Sequence, residues 1–242
     1  MQAKPGQFCW VELLTTAPDA SSFYSQLFGW STRTLENQYT EFVLGEEPVG
    51  GLVRVSDPQV AHWACTVAVE DLDASLAVLE AAGGRVIEGP EGALGLGRAA
   101  WVEDPQGGRF SLWQGEKHFG ASAGATGHFL SCDLACPDAE KAGAFYARVF
   151  GWRFFARKGS GSSYYSFALG EQRLGTVAEF EGLEKSCWTV TFATDDLEGQ
   201  KARAEQLGAE VNVPVFTSPL GRTAGLVDPH GHVFGLVEPS PA

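Results

Sequence analysis

Apolar and polar positions along the chain follow two periods, a two-residue period typical of strands and a 3.6-residue period typical of helices. Residues 9–14 alternate as a strand, and Pro18-Asp19 opens a helical pattern that ends at Gly29. Three strand-like runs follow, and the same order then restarts three more times. The predicted strands are residues 9–14, 30–35, 39–44, 49–55, 63–69, 85–88, 98–103, 109–113, 128–135, 152–157, 163–169, 173–180, 187–194, 210–215, 222–227 and 232–238, and the later helices are residues 71–82, 138–150 and 196–207. The pattern predicts four tandem β-α-β-β-β repeats.

Three sequence motifs occur twice, in the same order and at nearly the same separation. They are Phe-Tyr-x-x-x-Phe-Gly-Trp, a Trp…Asp-Leu…Gly pattern and Asp-Pro-x-Gly. The pairs begin at Phe23 and Phe145, at Trp63 and Trp188, and at Asp104 and Asp228, with separations of 122, 125 and 124 residues. Agreement within three residues across three motifs indicates that a whole module has been duplicated.

The duplication predicts the domain organisation. We assign residues 1–116 to an N-terminal module, residues 117–126, rich in Gly, Ala and Ser, to a linker, and residues 127–242 to a C-terminal module. The fold class is α+β, with the four repeats paired into two similar modules that each carry a concave mixed sheet. A helix covers only one face of such a sheet, so the other face stays open to a ligand.

The tandem repeats, the helices ending in Phe-Tyr-x-x-x-Phe-Gly-Trp and the Asp-Pro-x-Gly turns resemble the vicinal oxygen chelate superfamily. This is the group of glyoxalases, bleomycin-resistance proteins and extradiol dioxygenases, and the resemblance covers nearly the whole chain. It implies a glyoxalase-like fold with a small molecule bound in the concave cleft. The shared motifs pack helix on sheet and form turns, so they identify a fold rather than a reaction.

The resemblance also implies a divalent metal, held by His, Gln or Glu on first strands and a Glu on a last strand. The corresponding positions here are Cys9 or Trp10, Ala64, Ser111, Ser131, Thr189 and Gly235. Apart from Cys9, none of these is a competent ligand for zinc, iron or manganese. We therefore expect no cofactor and no metal site, unless the ligands are relocated.

Polar residues inside two apolar strands are the candidates for chemistry. Alternation places Trp10 and Glu12 on the concave side of strand 9–14, and Ser131 and Asp133 on that of strand 128–135. If the pseudo-twofold arrangement brings Glu12 and Asp133 into one pocket, their pKa values separate and one serves as an acid or base. The structural alternative is that each carboxylate pairs with an arginine, such as Arg98 or Arg222.

Aromatic side chains supply the candidate walls of a ligand site. The residues expected to bind a ligand are Trp10, Ser131, Trp101, Trp113, Tyr39, Tyr165 and His128. Aromatic walls suit a flat, hydrophobic molecule. The other histidines are interpreted as strand-end or surface residues, and the five cysteines as structural thiols.

Charge and composition narrow the function classes. The chain has 17 Lys and Arg against 30 Asp and Glu, a formal charge of −13 that disfavours nucleic-acid and anionic-membrane partners. No apolar run approaches the roughly 20 residues of a membrane-spanning helix. Because residues 1–6 lack the apolar core of a signal peptide, we expect a cytoplasmic protein, monomeric or homodimeric, whose partner is a small molecule.

Three functions remain open. The first is a binding protein of bleomycin-resistance type that holds a small, partly hydrophobic or aromatic molecule without converting it. The second is a metal-independent isomerase, lyase or hydrolase that uses Glu12 and Asp133 as acid and base. The third is a metal-dependent lyase or dioxygenase with relocated ligands. Whether the chain is an enzyme is thus left open by the sequence.

Overall fold

The computed structural model describes residues 3–35, 39–93, 95–156 and 164–240. In these segments the order strand, helix, three strands occurs four times. The first two repeats comprise β1 (Phe8–Thr15), α1 (Ala20–Phe28), β2 (Ser31–Thr34), β3 (Thr40–Leu44), β4 (Glu47–Arg54), β5 (His62–Ala68), α2 (Leu72–Ala81), β6 (Arg85–Ala93), β7 (Gly97–Glu103) and β8 (Arg109–Gly115). The last two comprise β9 (Phe129–Cys136), α3 (Ala139–Phe150), β10 (Arg153–Ala156), β11 (Tyr164–Leu169), β12 (Gln172–Glu179), β13 (Cys187–Ala193), α4 (Leu197–Gln206), β14 (Glu210–Ser218), β15 (Gly221–Val227) and β16 (Val233–Pro239).

This order confirms the predicted α+β fold of four β-α-β-β-β repeats. Two predicted strand ends were wrong: β14 continues beyond residue 215 to Ser218, and β6 does not end near residue 88 but continues to Ala93. Two register shifts in its pairing with β7, between Val86 and Glu88 and between Glu88 and Glu91, accommodate Pro90, which has no backbone N–H for the ladder. Gly92 and Ala93 therefore belong to β6, and Gly97 begins β7. The predicted strand ends at residues 157 and 163 lie outside the described residues.

The strands form two eight-stranded mixed sheets. Their orders are β2-β3-β4-β1-β5-β8-β7-β6 and β10-β11-β12-β9-β13-β16-β15-β14. Within each set of four strands the first and last strands of a repeat pair in parallel, as β1 does with β4 and β9 with β12, while the remaining pairs are antiparallel. No helix within the described segments is long and apolar enough to cross a membrane.

The chain divides into two compact units that do not coincide with the sequence modules. The first compact unit is Met1–Cys9, Cys65–Gly120 and Cys132–Trp188, and the second is Trp10–Ala64, Ala121–Ser131 and Thr189–Ala242. Each compact unit therefore contains one β-α-β-β-β repeat from the first half of the chain and one from the second half. The boundaries 1–116, 117–126 and 127–242 describe the sequence duplication.

Local sequence signals fix the ends of the helices. The carboxylates of Asp71, Asp138 and Asp196 accept the backbone N–H three residues later, at 2.9–3.0 Å, and so cap α2, α3 and α4. Gly29 and Gly151 end α1 and α3 with φ of 73°, a left-handed conformation that favours glycine.

The duplicated motifs meet in a buried hydrogen-bond network inside the second compact unit. The Tyr24 hydroxyl donates to Asp228 at 2.8 Å, and Trp63 Nε1 donates to the Tyr24 oxygen at 2.8 Å. His232 Nδ1 lies 2.8 Å from the same Asp228 carboxylate. The Phe-Tyr helix motif of one repeat is thereby tied to the Asp-Pro-x-Gly turn of another. These motif residues are structural.

The first compact unit repeats this arrangement with two differences, at the tryptophan and at the histidine. The Tyr146 hydroxyl donates to Asp104 at 2.7 Å, and the Trp188 ring packs edge-on against Tyr146 with ring centroids 5.5 Å apart. Gly108 stands four residues after Asp104, where His232 follows Asp228, so the first compact unit has no imidazole at this place.

Candidate functional site

Alternation along β1 separates the core from the opposite sheet face. Val11 and Leu13 are fully buried, and Trp10 and Glu12 alternate with them on the other face, where Trp10 is also buried and Glu12 is half-buried. Glu12 is in register with Gly51 on the parallel strand β4. That Trp10 and Glu12 line a ligand site on this face stays a prediction.

Tyr39 reaches over Gly51 to the Glu12 carboxylate. Its hydroxyl donates to Glu12 Oε1 at 2.5 Å and accepts from Trp10 Nε1 at 2.8 Å. A Cβ atom at Gly51 would lie 1.8 Å from the Tyr39 hydroxyl, so any side chain at this position would displace the tyrosine. We refer to Trp10, Glu12, Tyr39 and Gly51 as the Glu12 site.

Burial controls the ionisation of the Glu12 site. Loss of water raises the pKa of Glu12, while the hydrogen bonds from Tyr39 and Trp10 lower it by less. Burial and the negative charge of Glu12 raise the pKa of Tyr39 well above its ordinary value. The nearby Glu41 carboxylate is compensated by Arg33 Nη2 at 2.7 Å. The site thus holds a carboxyl group that keeps its proton to a higher pH than an ordinary glutamate, the property needed for a proton donor or a neutral anchor.

The equivalent carboxylate of the C-terminal half has different partners. Asp133 accepts a hydrogen bond from the Thr176 backbone N–H at 2.8 Å and another from the Thr176 hydroxyl at 2.7 Å. Ser131, two residues before it, is buried. Glu12 belongs to the second compact unit and Asp133 to the first. That the two carboxylates share a pocket stays a prediction.

The arginines considered as structural partners bond to other carboxylates. Arg98 donates to Asp73 at 2.8 and 3.1 Å, and Arg222 donates to Glu198 at 2.6 Å and to Glu238 at 3.3 Å. The hydrogen bonds described for Glu12 come from Tyr39 and Trp10, and those described for Asp133 come from Thr176. Arg98 and Arg222 are not among these described partners.

Trp101 and Trp113, two of the other candidate ligand-binding residues, lie in the first compact unit. Trp101 on β7 is half-buried and in register with Ser111 on β8. Trp113 on β8 is also half-buried, and its Nε1 donates to the His118 carbonyl at 2.8 Å. Both indoles share a strand face with Ser111 and leave part of their surface exposed, as a ligand wall requires.

Tyr165 and His128 are the two remaining candidate ligand-binding residues. Tyr165 on β11 is half-buried and in register with Val177 of β12. His128 is buried, with Nδ1 3.1 Å from the Ser122 carbonyl and Nε2 3.9 Å from Glu47. The contacts of His128 are those of a structural side chain that ties down the segment before β9.

The side chains at the positions implied for a metal do not form a ligand set. Ser111 shares a 2.6 Å hydrogen bond with Thr66, and Ala64 offers no donor atom. At Gly235 there is no side chain, and the Thr191 hydroxyl lies 2.4 Å from where a Cβ would stand. Cys9 is buried with its thiol directed to the Thr66 carbonyl at 3.6 Å. The described part of the chain contains no cluster of three or more His, Cys, Asp or Glu able to hold a metal ion. The residues present do not fit the family's divalent metal.

A surface cavity of about 530 Å³ adjoins the Glu12 site in the second compact unit. Its walls are mostly hydroxyl-bearing, with one arginine: Ser21, Thr32, Thr34, Tyr39, Thr40, Leu52, Val53 and Arg54. Tyr39 thus belongs to both the cavity and the Glu12 site.

Sequence reasoning missed Gly51 and Thr176, and it did not connect Tyr39 to Glu12. A glycine inside a strand pattern is a signal of close approach by another group. Gly50-Gly51 within the predicted strand 49–55 carried that signal. Which group approaches depends on the pairing register of distant strands.

Comparison with known proteins identifies the family. The model of the glyoxalase-like domain matches residues 11–113 and again residues 130–237. The two matches cover most of the chain and repeat in the two halves. The chain belongs to the glyoxalase-like domain family, and its fold is that of the vicinal oxygen chelate superfamily.

Similar sequences occur in Streptomyces and Mycobacterium species. The anthracycline biosynthesis protein DauV of Streptomyces sp. strain C5 is 32% identical, with 97% of this chain and 94% of that protein covered. DnrV of Streptomyces peucetius, another anthracycline biosynthesis protein, is 30% identical over 97% of this chain and 94% of its own. The putative glyoxylase CFP32 of Mycobacterium tuberculosis is 29% identical, covering 96% and 94%.

Solved structures share the fold at low sequence identity. A Mn(II)-bound glyoxalase from Novosphingobium aromaticivorans superposes with a TM-score of 0.72 at 17% identity, covering 97% of this chain and 84% of its own. The 2,3-dioxygenase LapB from Pseudomonas sp. KL28 gives 0.70 at 16% identity, covering 99% and 93%. These similarities establish the architecture alone.

Proposed function

We propose that this glyoxalase-like chain binds a small, partly hydrophobic or aromatic molecule on the concave sheet face of its N-terminal half. The observation that carries the proposal is the Glu12 site, where the Tyr39 hydroxyl donates to a desolvated carboxyl group and accepts from the Trp10 indole. Removing a carboxyl group from water is unfavourable, so its presence in an apolar strand calls for a functional reason. Trp10 and Tyr39 supply flat walls, and Glu12 supplies a polar anchor.

The relatives favour an aromatic ligand. Two of them are named for anthracycline biosynthesis. A polycyclic aromatic molecule with carbonyl and hydroxyl groups suits the Glu12 site, because its rings stack on aromatic walls and its oxygens bond to the carboxyl group. We take a hydroxylated anthraquinone as the probe of this ligand class.

Metal-independent acid–base catalysis is the second candidate function. Glu12 favours it, because a carboxyl group with a raised pKa, oriented by Tyr39, is able to give a proton to a bound substrate and to take one back. The reaction class would be an isomerisation, a lyase reaction or a hydrolysis. Asp133 remains the candidate partner.

We expect the purified protein to carry no stoichiometric transition metal. The reason is the replacement of the implied ligands by residues such as Ser111, Ala64 and Gly235. Elemental analysis after expression with zinc, iron and manganese supplements measures this. One equivalent of metal per chain that resists mild chelation would contradict the expectation and favour the metal-dependent alternative.

Two substitutions at Glu12 separate binding from catalysis. Glu12→Leu removes the polar anchor and is expected to weaken binding of the anthraquinone probe about tenfold, since a net hydrogen bond contributes about 0.5–1.5 kcal/mol and 1.4 kcal/mol is tenfold. Glu12→Gln keeps the shape and a hydrogen-bonding group, so binding should persist. If the protein is an acid–base enzyme, Glu12→Gln lowers its turnover by roughly 100-fold or more.

Calorimetric titration measures the affinities, and product analysis by mass spectrometry measures turnover. The matched control is Glu171→Leu, a change at an exposed carboxylate in the β11–β12 turn. Equal affinities of the Glu12→Leu and Glu171→Leu proteins for the anthraquinone probe would contradict the proposed site. Binding without any product in the wild type would reject the catalytic candidate and leave a binding protein.

A further inference from the structure

The two halves of the duplicated chain differ at the position beside their strand carboxylate. In the N-terminal half, Glu12 is in register with Gly51. In the C-terminal half, Leu134 is in register with Val177, which places Thr176 next to Asp133, and Thr176 bonds to Asp133 through both its backbone N–H and its hydroxyl. Glycine and threonine thus occupy equivalent positions and lead to different surroundings of the carboxylate.

The absent side chain at Gly51 makes room for Tyr39. A Cβ atom there would lie 1.8 Å from the tyrosine oxygen, 2.6 Å from its Cζ and 3.2 Å from Trp10 Nε1. The backbone of Gly51 does not have the positive φ that only glycine tolerates well, so alanine or threonine is sterically allowed by the backbone itself. The requirement for glycine therefore comes from the tyrosine.

We propose that Gly51 and Tyr39 are positioning residues of the Glu12 site: Gly51 admits Tyr39, and Tyr39 covers and orients the Glu12 carboxyl group. The N-terminal half then presents a covered carboxyl group that donates a proton to a ligand oxygen acceptor, such as a carbonyl or phenolate. The C-terminal half presents an aspartate held by Thr176. The inference rests on the proposed function, because it names the chemical group that the Glu12 site selects.

Tyr39 acts on Glu12 in two opposite ways. Burial raises the pKa of Glu12, and we infer that the tyrosine ring, which lies over the carboxyl group, contributes to this burial. The tyrosine hydroxyl donates to the carboxylate, which lowers that pKa. Charged groups near Tyr39 include Glu41, which is buried, Arg33, which is bonded to it, and Arg54, which lines the same cavity as Tyr39. Substitutions that remove one effect at a time should therefore shift the titration in opposite directions.

The test is the pH titration of Glu12, followed by NMR of protein labelled with carbon-13 at glutamate carboxyl groups and assigned with the Glu12→Gln protein. Tyr39→Phe keeps the ring and removes the hydroxyl, so the pKa of Glu12 should rise further. Gly51→Thr displaces the ring, admits water and adds a hydroxyl donor, so the pKa of Glu12 should fall towards its ordinary value. No ligand is needed for this measurement.

Controls make the result independent of folding defects. Gly51→Ala creates the same close contact with a smaller side chain and should shift the pKa in the same direction as Gly51→Thr. Gly92→Ala is the matched control, because an added Cβ at this exposed strand glycine meets nothing within 4 Å. It should leave the titration of Glu12 unchanged. Circular dichroism checks that each variant is folded.

Two outcomes would overturn the inference. One is an unchanged titration of Glu12 in the folded Gly51→Ala and Gly51→Thr proteins. The other is a shift of the pKa of Glu12 in the same direction in the Tyr39→Phe and Gly51→Thr proteins. Failure of the proposed function looks different. In that case the titration shifts as expected, while the anthraquinone probe binds equally well to wild type and to Glu12→Leu.

Discussion

The two compact units share the Asp-Pro-x-Gly turn, but neighbouring residues shift the pKa of its aspartate in opposite directions. Burial raises the pKa of Asp228, but hydrogen bonds from His232 and from Tyr24 lower it more, and the pKa lies below its ordinary value. At Asp104, where Gly108 replaces the histidine, burial outweighs the hydrogen bonds from Tyr146 and from the backbone, and the pKa lies above its ordinary value. His232 is thus the source of the largest effects that lower the pKa of Asp228, and Asp104, which also lies near the Glu103 charge, has no such partner.

These opposite shifts predict opposite dependences of stability on pH. A lowered pKa means that Asp228 contributes stability above its unfolded pKa of about 3.9, and that this contribution is lost as the pH falls through the folded value. A raised pKa means that the contribution of Asp104 is present below about pH 3.9 and is lost as the pH rises through its folded value. We expect Asp228→Asn to reduce the loss of stability on acidification, and Asp104→Asn to increase it.

Urea unfolding at a series of pH values between 3 and 7 measures the free energy of unfolding of both variants and of wild type. The quantity to compare is the slope of the free energy of unfolding against pH, because each substitution also changes the stability at neutral pH. Identical slopes for Asp104→Asn and Asp228→Asn would contradict the assignment of the two shifts.

At the scale of elements, helices and turns were predictable because their signals are local. Asp71, Asp138 and Asp196 mark helix starts through hydrogen bonds that span only three residues, and Gly29 and Gly151 mark helix ends. The extent of β6 was not predictable, because its pairing continues past Pro90 through irregularities that the partner strand β7 supports. Strand pairing depends on residues distant in sequence, which a local pattern does not contain.

The helix caps yield a prediction with a control in the same chain. The Asp196 carboxylate caps α4 by accepting the Gly199 N–H at 2.9 Å, whereas Asp19, at the same position before α1, makes no side-chain capping hydrogen bond. Asp196→Ala should therefore lower the free energy of unfolding by about 1 kcal/mol, and Asp19→Ala by a few tenths at most. Equal losses in denaturant titrations would contradict the role of the cap.

At the scale of the whole molecule, duplication explains both what the sequence predicted and what it did not. Repeated motifs predicted the four repeats and placed Glu12 and Asp133 at equivalent positions on strand faces. They did not predict that the compact units combine repeats from both halves. Nor did they predict the contact between Tyr39 and Glu12, because that contact requires β1 and β4 to pair in the register that opposes Glu12 to Gly51. The two copies therefore differ at equivalent positions that carry different side chains, such as Gly51 and Thr176.

The proposed function of the Glu12 site is the binding of a small aromatic molecule. Crystals of the protein soaked with a library of small aromatic fragments test it most directly, because no particular ligand has to be assumed. We predict that bound fragments collect against Trp10 and Tyr39 with an oxygen on Glu12, and that Glu12→Leu crystals lose them. Fragments that bind elsewhere while this surface stays empty, or that bind equally to the Glu12→Leu protein, would contradict the claim.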